Sequence, residues 1–573
     1  MTTRRHHADR LGRAHRSAAR TVLRSRTAML AILAVAAAAG ALVGLATSRH
    51  GGAGVRSGSL AHRSAVAPGG GGASGGGSSG GGSSGGGASG VTGRQADLQA
   101  GPTHPNIVFV LTDDLSMDLL PYMPQVQALQ ADGMTFNHYF VSDSLCCPSR
   151  TSIFTGEFPH NAGVFTNAGP FGGLRAFYTH GDENRTFNLA LQRLGYRTGM
   201  MGKYINGYLE GPHRSPIAST AVPPGWSEWD VAGWGYREFG YKLNIDGTVH
   251  YFGHAPRDYL TDVIARRGVH FINRSAAMGR PFFLELATFA PHTPYVPAPR
   301  DANLYPGLMA PRPPSFDVLP TDPPSWLAGH PPLTLHQIDR INRVFRRRVQ
   351  DVQAVDDMIS RVRTALQNDG LAGNTYIVFS SDNGLHTGEY RLTPGKLTAF
   401  DTDIHVPLVV TGPGVPVDTS SDAMTENVDL AETFAEMGGT TLDTGDGHSL
   451  LGLMHGDVPD DWRDAILVEH HGPKPDRDDP DEQDRASGNP PSYEAVRTPQ
   501  FLYVEYQDGE REFYDLRTDP DELDNLAASL SPAELAALHT DLTQLEACHG
   551  EVACWTASHL QATVAIRHRQ HRG

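Results

Sequence analysis

Cysteine is scarce in this chain, with four in 573 residues. That excludes a small fold stapled by many disulfides, and the length suits one large domain with a smaller one appended. Two of the four, Cys548 and Cys554, lie close together in CHGEVAC. With His549 they give three donors within seven positions, which lacks the paired ligand spacing of a structural zinc site. A Cys548–Cys554 disulfide is expected instead. Cys146 and Cys147 are adjacent. Neighbouring cysteines rarely bridge each other, so this pair needs another explanation, and chemistry is one.

Net positive charge is confined to the start of the chain. Residues 1–103 hold twelve arginines against two aspartates, a surplus of ten, so the overall −16 leaves −26 on residues 104–573. Such a surface repels nucleic acid and long polyanions, and no nucleic-acid partner is expected. Acidity that serves solubility alone accounts for the imbalance equally well. Residues 1–26 read as a basic cytoplasmic N-terminus. The apolar run 27–47, roughly 20 residues at ~1.5 Å rise each, matches a ~30 Å hydrocarbon core. It is either a cleaved signal peptide, with Gly44-Leu45-Ala46 near a cut, or an uncleaved anchor. Both place the remainder outside the cell, extracellular or tethered at the surface by 27–47. Residues 48–103, mostly Gly, Ser and Ala, form a disordered linker that buries too little apolar surface to fold.

Beyond the linker, strands alternate with helices. Asn106–Thr112 is a continuous β-branched and apolar run, suited to burial on both sheet faces, and it ends at Asp113-Asp114. Residues 375–380 lead into Ser381-Asp382-Asn383-Gly384, and 282–288 into Ala290-Pro291-His292. Between them, 335–367 places Ile341, Phe345, Val349, Val352, Val355, Ile359, Val362 and Leu366 at helical spacing. The pattern predicts an α/β fold with a large, mostly parallel sheet flanked by helices, its ligand site beyond the carboxyl ends of the strands. From Trp462 onward short strands at 465–469, Tyr493–Arg497, Phe501–Tyr506 and 512–516 precede a closing helix, Pro532–Glu546. These predict a smaller antiparallel-sheet subdomain, with the catalytic domain over 104–460 and the subdomain over 461–573. A Pro-rich stretch, 294–332, and an acidic one, 472–491, read as irregular excursions.

Asp113, Asp114, Asp382 and Asn383 are two pairs of hard oxygen donors at strand ends, suited to Ca2+ or Mg2+ rather than zinc. Alone, each pair is equally a helix cap or a turn. The segment CCPSRTSIFTG, 146–156, adds the pattern CxPxRxxxxTG. Together with NIVFVLTDDL, GYRTGMMGKY, APHTPY, SDNGLHTGEYRLTPGK and EFYDLRTDPDELDNL, spread over residues 104–530, it resembles the formylglycine-dependent sulfatases of the alkaline phosphatase superfamily. The similarity is greatest to the branch of N-acetylglucosamine-6-sulfatases and arylsulfatases.

The resemblance implies an alkaline-phosphatase-like sandwich and a sulfuric ester hydrolase. It implies that a formylglycine-generating enzyme oxidises Cys146 to formylglycine, whose hydrate can be sulfated and then expel sulfate by reverting to the aldehyde. A sulfated thiol or simple alcohol would need a second attack at sulfur. It implies a metal, Ca2+ with Mg2+ as the alternative, on Asp113, Asp114, Asp382, Asn383 and the modified Cys146. Arg150 would hold the nucleophile, Lys203 and Lys396 would clamp sulfate, and His292 would protonate the leaving alcohol. Asn206 and His386 are further expected substrate contacts, with loop stabilisation the alternative for His386.

Two departures stand out: Ile205 occupies the place of a histidine common after the Gly-Lys pair, and His405-Val406-Pro407 replaces Arg-Val-Pro. The expected substrate is a sulfated small molecule or short sulfated sugar, such as 6-O-sulfo-N-acetylglucosamine, or an aryl sulfate. The alternatives are a phosphonate or phosphodiester monoesterase of the same fold and an inactive surface binding protein.

Overall fold

The computed structural model describes residues 104–209, 215–472, 481–483 and 485–560. The basic N-terminus, the apolar run and the linker lie outside the described residues, among which no helix is long and apolar enough to cross a membrane.

The three apolar runs that end in polar residues become neighbours in a ten-stranded sheet. Asn106–Thr112 is buried at every position and pairs in parallel with Phe282–Ala287 on one side and Thr375–Ser381 on the other. β-Branched and aromatic side chains on both faces suit that central place, because helices cover the sheet on each side. Across the sheet the order is Thr419–Ser421, Met134–Phe136, Leu408–Thr411, Thr375–Ser381, Asn106–Thr112, Phe282–Ala287, Arg197–Lys203, Glu228–Gly233, Lys242–Ile245 and Thr248–Tyr251. The pairings around Leu408–Thr411 and beyond Glu228–Gly233 are antiparallel, so the sheet is mixed and mostly parallel at its centre.

Register decides the site. Thr112 lies opposite Ser381, and both Leu111 and Gly202 lie opposite Ala287. Four adjacent parallel strands therefore stop at one level, and the residues after them project over one edge. Gly202 makes this possible for the strand that ends in Lys203. Its φ is +105°, and a Cβ there would sit 1.8 Å from the Ala287 carbonyl oxygen.

The long helix Leu335–Asn368 begins at a capping box, with the Thr334 side chain accepting from the Gln337 N–H, and buries the apolar stripe read from the sequence. The closing part is a four-stranded antiparallel sheet of Ile466–His470, Tyr493–Arg497, Phe501–Tyr506 and Arg511–Asp515. Its first strand starts one residue later than expected and its last one residue earlier. Pro532–Glu546 forms the closing helix, and Cys548 is bonded to Cys554 just beyond it. Of the two excursions, 294–332 is irregular apart from Ser325–Ala328, while in 472–491 residues 473–480 and 484 lie outside the described residues.

His160, in the short helix Pro159–Ala162, ties that segment to the closing subdomain. Its Nδ1 is 2.9 Å from Glu469 Oε2, and its Nε2 is 2.9 Å from the Cys548 carbonyl oxygen. Both partners are acceptors, so the pair of contacts needs both ring N–H groups, that is, the imidazolium. Burial pulls the imidazole down, but Glu469 and the carbonyl outweigh it and raise it to about 9. A pKa raised in the folded state stabilises fully below the ordinary unfolded value of about 6.5 and ceases to do so as pH climbs through about 9. Replacing His160 by Gln should therefore cost about 1–2 kcal/mol at mildly acid pH and little at alkaline pH, measured by urea unfolding at both. A loss independent of pH would contradict the charged pairing.

Candidate active site

Each segment that overhangs the sheet edge contributes one kind of group. Asp113-Asp114 follow Asn106–Thr112, Asp382-Asn383 follow Thr375–Ser381, Lys203 ends its own strand, and His292 lies in the turn after Phe282–Ala287. Facing them is the helix Cys146–Thr155, in which every residue is buried. Cys146 is its first residue and Pro148 falls in the first turn, where a missing N–H costs nothing. Arg150, four residues on, projects from the same face as Cys146. Thr155 closes the helix by donating to the Thr151 carbonyl and accepting from the Glu157 N–H. Gly156 follows at φ +73°, the left-handed end that a side chain would disfavour. The spacing CxPxRxxxxTG is thus the recipe for a buried helix that starts at Cys146 and stops at Gly156.

The adjacent cysteines point to different environments. Cys146 Sγ receives a hydrogen bond from Lys396 Nζ at 3.0 Å and lies 3.3 Å from Asp113 Oδ1. Cys147 Sγ packs within the hydrophobic core and accepts from the Asn206 N–H at 3.3 Å. Burial, with Asp113 and Asp481, pushes the Cys146 sulfur well above its ordinary pKa and keeps it a thiol. Such a group is a poor nucleophile as it stands.

Around it, buried charges of both signs pair off. Arg150 Nε donates to Asp382 Oδ2 at 2.7 Å, Lys203 Nζ to Asp113 Oδ2 at 2.6 Å, and Lys396 Nζ to Asp114 Oδ1 at 2.6 Å. Burial would raise both Asp113 and Asp382. Asp113 does rise to about 6 against the pull of Lys203. Asp382 is brought down to about 2 by Arg150, Lys203 and Lys396. The ligand atoms of Asp113, Asp114, Cys146 and His292 all lie within 4.8 Å of one another. Asn383 anchors beside them through its Nδ2, which donates to Asp114 Oδ1 at 2.7 Å, and its buried Oδ1 has no hydrogen-bond partner among the described residues. Dense hard acceptors with an orphan amide oxygen fit a divalent cation, whose charge would relieve their crowding.

His292 Nδ1 lies 2.6 Å from the Thr293 carbonyl oxygen, which orients the ring and turns Nε2 toward the pocket. Burial lowers this imidazole, but Asp114, Asp481 and Asp113 raise it to about 9. The Tyr236 ring lies 4.5 Å from the His292 ring and 5.3 Å from Lys203 Nζ, and its hydroxyl donates to Asn206 Oδ1 at 3.2 Å. Asn206 therefore sits in the pocket wall. His386 is placed differently: both ring nitrogens are engaged, by Asp403 and by the Ser487 carbonyl oxygen at 2.9 Å, and it braces the loop that carries Lys396.

Three pocket residues escaped the sequence reading: Tyr236, Asn167 and Asp481. Asp481 belongs to the acidic excursion, yet it is buried, 4% exposed, with Oδ1 against His292 Nε2 and 3.3 Å from Lys396 Nζ. Its Oδ2 accepts from Asn167 Nδ2 at 2.5 Å and lies 3.5 Å from Cys146 Sγ. No motif announces any of the three.

Comparison with known proteins agrees with this geometry. The family model Sulfatase matches residues 105–440, and N-sulphoglucosamine sulphohydrolase, C-terminal, matches 388–548. Human N-acetylglucosamine-6-sulfatase is 34% identical over 479 residues, covering 79% of this chain and 86% of that protein. A Drosophila melanogaster extracellular sulfatase SULF-1 homolog is 35% identical, covering 64% of this chain and 33% of its own length. A solved structure of a protein in complex with its substrate D-glucosamine-2-N,6-O-disulfate superposes with a TM-score of 0.62 at 23% identity, covering 77% of this chain and 97% of that one. The last shows the shared fold, and the sequence matches show that this chain belongs to the sulfatase family of sulfuric ester hydrolases.

Proposed function

We propose that the enzyme hydrolyses a sulfate monoester of a short or terminal sulfated amino sugar, with position 146 as its nucleophile after conversion to formylglycine. The observation that carries this reading is the convergence on Cys146 Sγ of Lys396 Nζ at 3.0 Å and Asp113 Oδ1 at 3.3 Å, at the start of a buried helix. The names and bound substrate of the relatives favour an amino sugar, and the acidity of residues 104–573 disfavours long polyanionic chains.

When bound, a divalent cation on Asp113, Asp114, Asp382 and Asn383 would supply Lewis-acid charge, and formylglycine an oxygen nucleophile that regenerates without a second attack at sulfur. The chain's own residues account for the rest. Arg150 and the helix N-terminus favour negative charge at position 146. Lys203 and Lys396 hold the sulfuryl oxygens as point charges. His292, kept protonated by its carboxylate neighbours, donates its Nε2 proton to the departing alcohol oxygen. Tyr236 and Asn206 line the wall beside it. The relationship to an extracellular sulfatase supports export, with residues 27–47 as the exporting segment.

Mass spectrometry of the peptide containing Cys146, from protein made with a formylglycine-generating enzyme, should show CH2–SH exchanged for CHO. An unmodified thiol in active enzyme would remove the proposed nucleophile. Assayed side by side, 4-nitrophenyl sulfate should be cleaved faster than 4-nitrophenyl phosphate, with chelator abolishing and calcium restoring the activity. His292→Ala should lower kcat by about 10²–10⁴ on N-acetylglucosamine-6-sulfate and much less on 4-nitrophenyl sulfate, whose leaving group needs no proton. Equal losses on the two would rule His292 out as the acid. Calcium at a hundredfold excess over its Kd should stabilise the metal-stripped protein by about 2.7 kcal/mol, read as a rise in Tm, and Asp114→Asn should abolish that rise.

A further inference from the structure

The sulfate pocket contains one carboxylate that the proposed chemistry assigns neither to the cation nor to a reacting group. Asp481 reaches in from outside the central sheet and is anchored twice over. Its Oδ1 faces the groups expected to meet substrate, His292 Nε2 and Lys396 Nζ. Its Oδ2 is held by Asn167 Nδ2 at 2.5 Å, and Asn167 is itself fixed by accepting from the Cys147 N–H at 2.9 Å. The second anchor involves none of the groups that bind sulfate. A substrate anion that takes over His292 and Lys396 therefore displaces Oδ1 from its partners while Oδ2 keeps its hold. The carboxylate remains beside the ester as a fixed negative charge among buried side chains.

We propose that Asp481 is a specificity-determining residue, whose fixed charge makes the pocket accept singly charged sulfate monoesters and reject doubly charged phosphate monoesters. The two ester types have nearly the same shape and the same oxygen donors, so contacts alone separate them poorly. They differ in charge. A sulfate monoester carries −1, whereas a phosphate monoester, with a second pKa of about 6, carries nearly −2 at neutral pH. Low-dielectric surroundings magnify the repulsion of that second charge by a nearby carboxylate, and discrimination arises as much from such repulsion as from attraction. Asn167 matters because a freely swinging aspartate would move away from the dianion.

The inference rests on the sulfatase reading, and three esters with one leaving group test it separately from that reading. They are 4-nitrophenyl sulfate, 4-nitrophenyl phosphate and methyl 4-nitrophenyl phosphate, the last a singly charged phosphorus ester. In metal-loaded, formylglycine-containing enzyme, Asp481→Asn should raise kcat/KM for the phosphate monoester relative to the sulfate by roughly tenfold or more. The singly charged phosphorus ester should gain no more than the sulfate does. Asp481→Glu, which keeps the charge, should stay near the parent ratio, and Asp481→Ala should follow Asn, so a poorly folding Asn variant leaves the comparison intact. A phosphate-to-sulfate ratio unchanged in both neutral variants would overturn the role of Asp481 while leaving the sulfatase reading standing. Equal gains for both phosphorus esters would overturn it as well, because the discrimination would then be for phosphorus and not for charge. Phosphate cleaved faster than sulfate by the parent enzyme would overturn both readings together.

Discussion

Crowding of like charge at the carboxyl ends of four strands is the constraint around which this molecule is arranged. Asp113, Asp114 and Asp382 are all buried at one level of the sheet, where ionised carboxylates tolerate one another only with compensation. Arg150, Lys203 and Lys396 each take one of them at 2.6–2.7 Å. Those three cations come from a helix, a strand and a loop, so the electrostatics of the pocket holds together segments far apart in sequence. Asp113 and Asp382 show that compensation is unequal. The carboxylate with Arg150 as its partner titrates at about 2, while the one relying on Lys203 reaches about 6. Three buried carboxylates and the side-chain oxygen of Asn383, unpaired among the described residues, still have charge to gain from a cation.

Much of this was legible because the local chemistry is strict. An apolar run ending in two acids is hard to place except in a central strand with a polar edge, and the structure puts Asn106–Thr112 there. The motif 146–156 encodes helix mechanics as well as chemistry, through Pro148 in the first turn and Gly156 at the left-handed stop. The two lysines that the resemblance assigned to sulfate are buried as well. Burial of Lys203 and Lys396 is something a solvated ammonium resists unless a buried anion requires it, and Asp113 and Asp114 are those anions.

What stayed hidden depended on long-range position. Asp481 stands among five other acids between 476 and 484, and nothing local separates the one that enters the pocket from those around it. Tyr236 lies in a stretch without periodicity, and its role comes from the turn that lays its ring against His292. His386 shows the opposite case. Its place three residues after Asn383 suggests the pocket, but Asp403 and Ser487 engage both of its nitrogens, and only the fold brings them there.

The closing sheet and the segment before it belong functionally to the pocket. The loop from 384 to 401 presents Lys396, and several of its supports come from beyond residue 480. Thr393 N–H donates to the Ala486 carbonyl at 2.7 Å, Tyr493 hydroxyl to the Leu397 carbonyl at 3.1 Å, and Tyr390 hydroxyl to Glu522 at 2.7 Å. Arg497 forks onto Asp401 through two nitrogens. Asp481 arrives from the same part of the chain and meets the Lys396 ammonium directly. A lysine on a loop would ordinarily sample many positions, at a cost of side-chain and backbone entropy on binding substrate. Here that cost is met during folding, by contacts to residues far away in sequence, so the antiparallel sheet and the segments beside it hold in place the loop that carries Lys396.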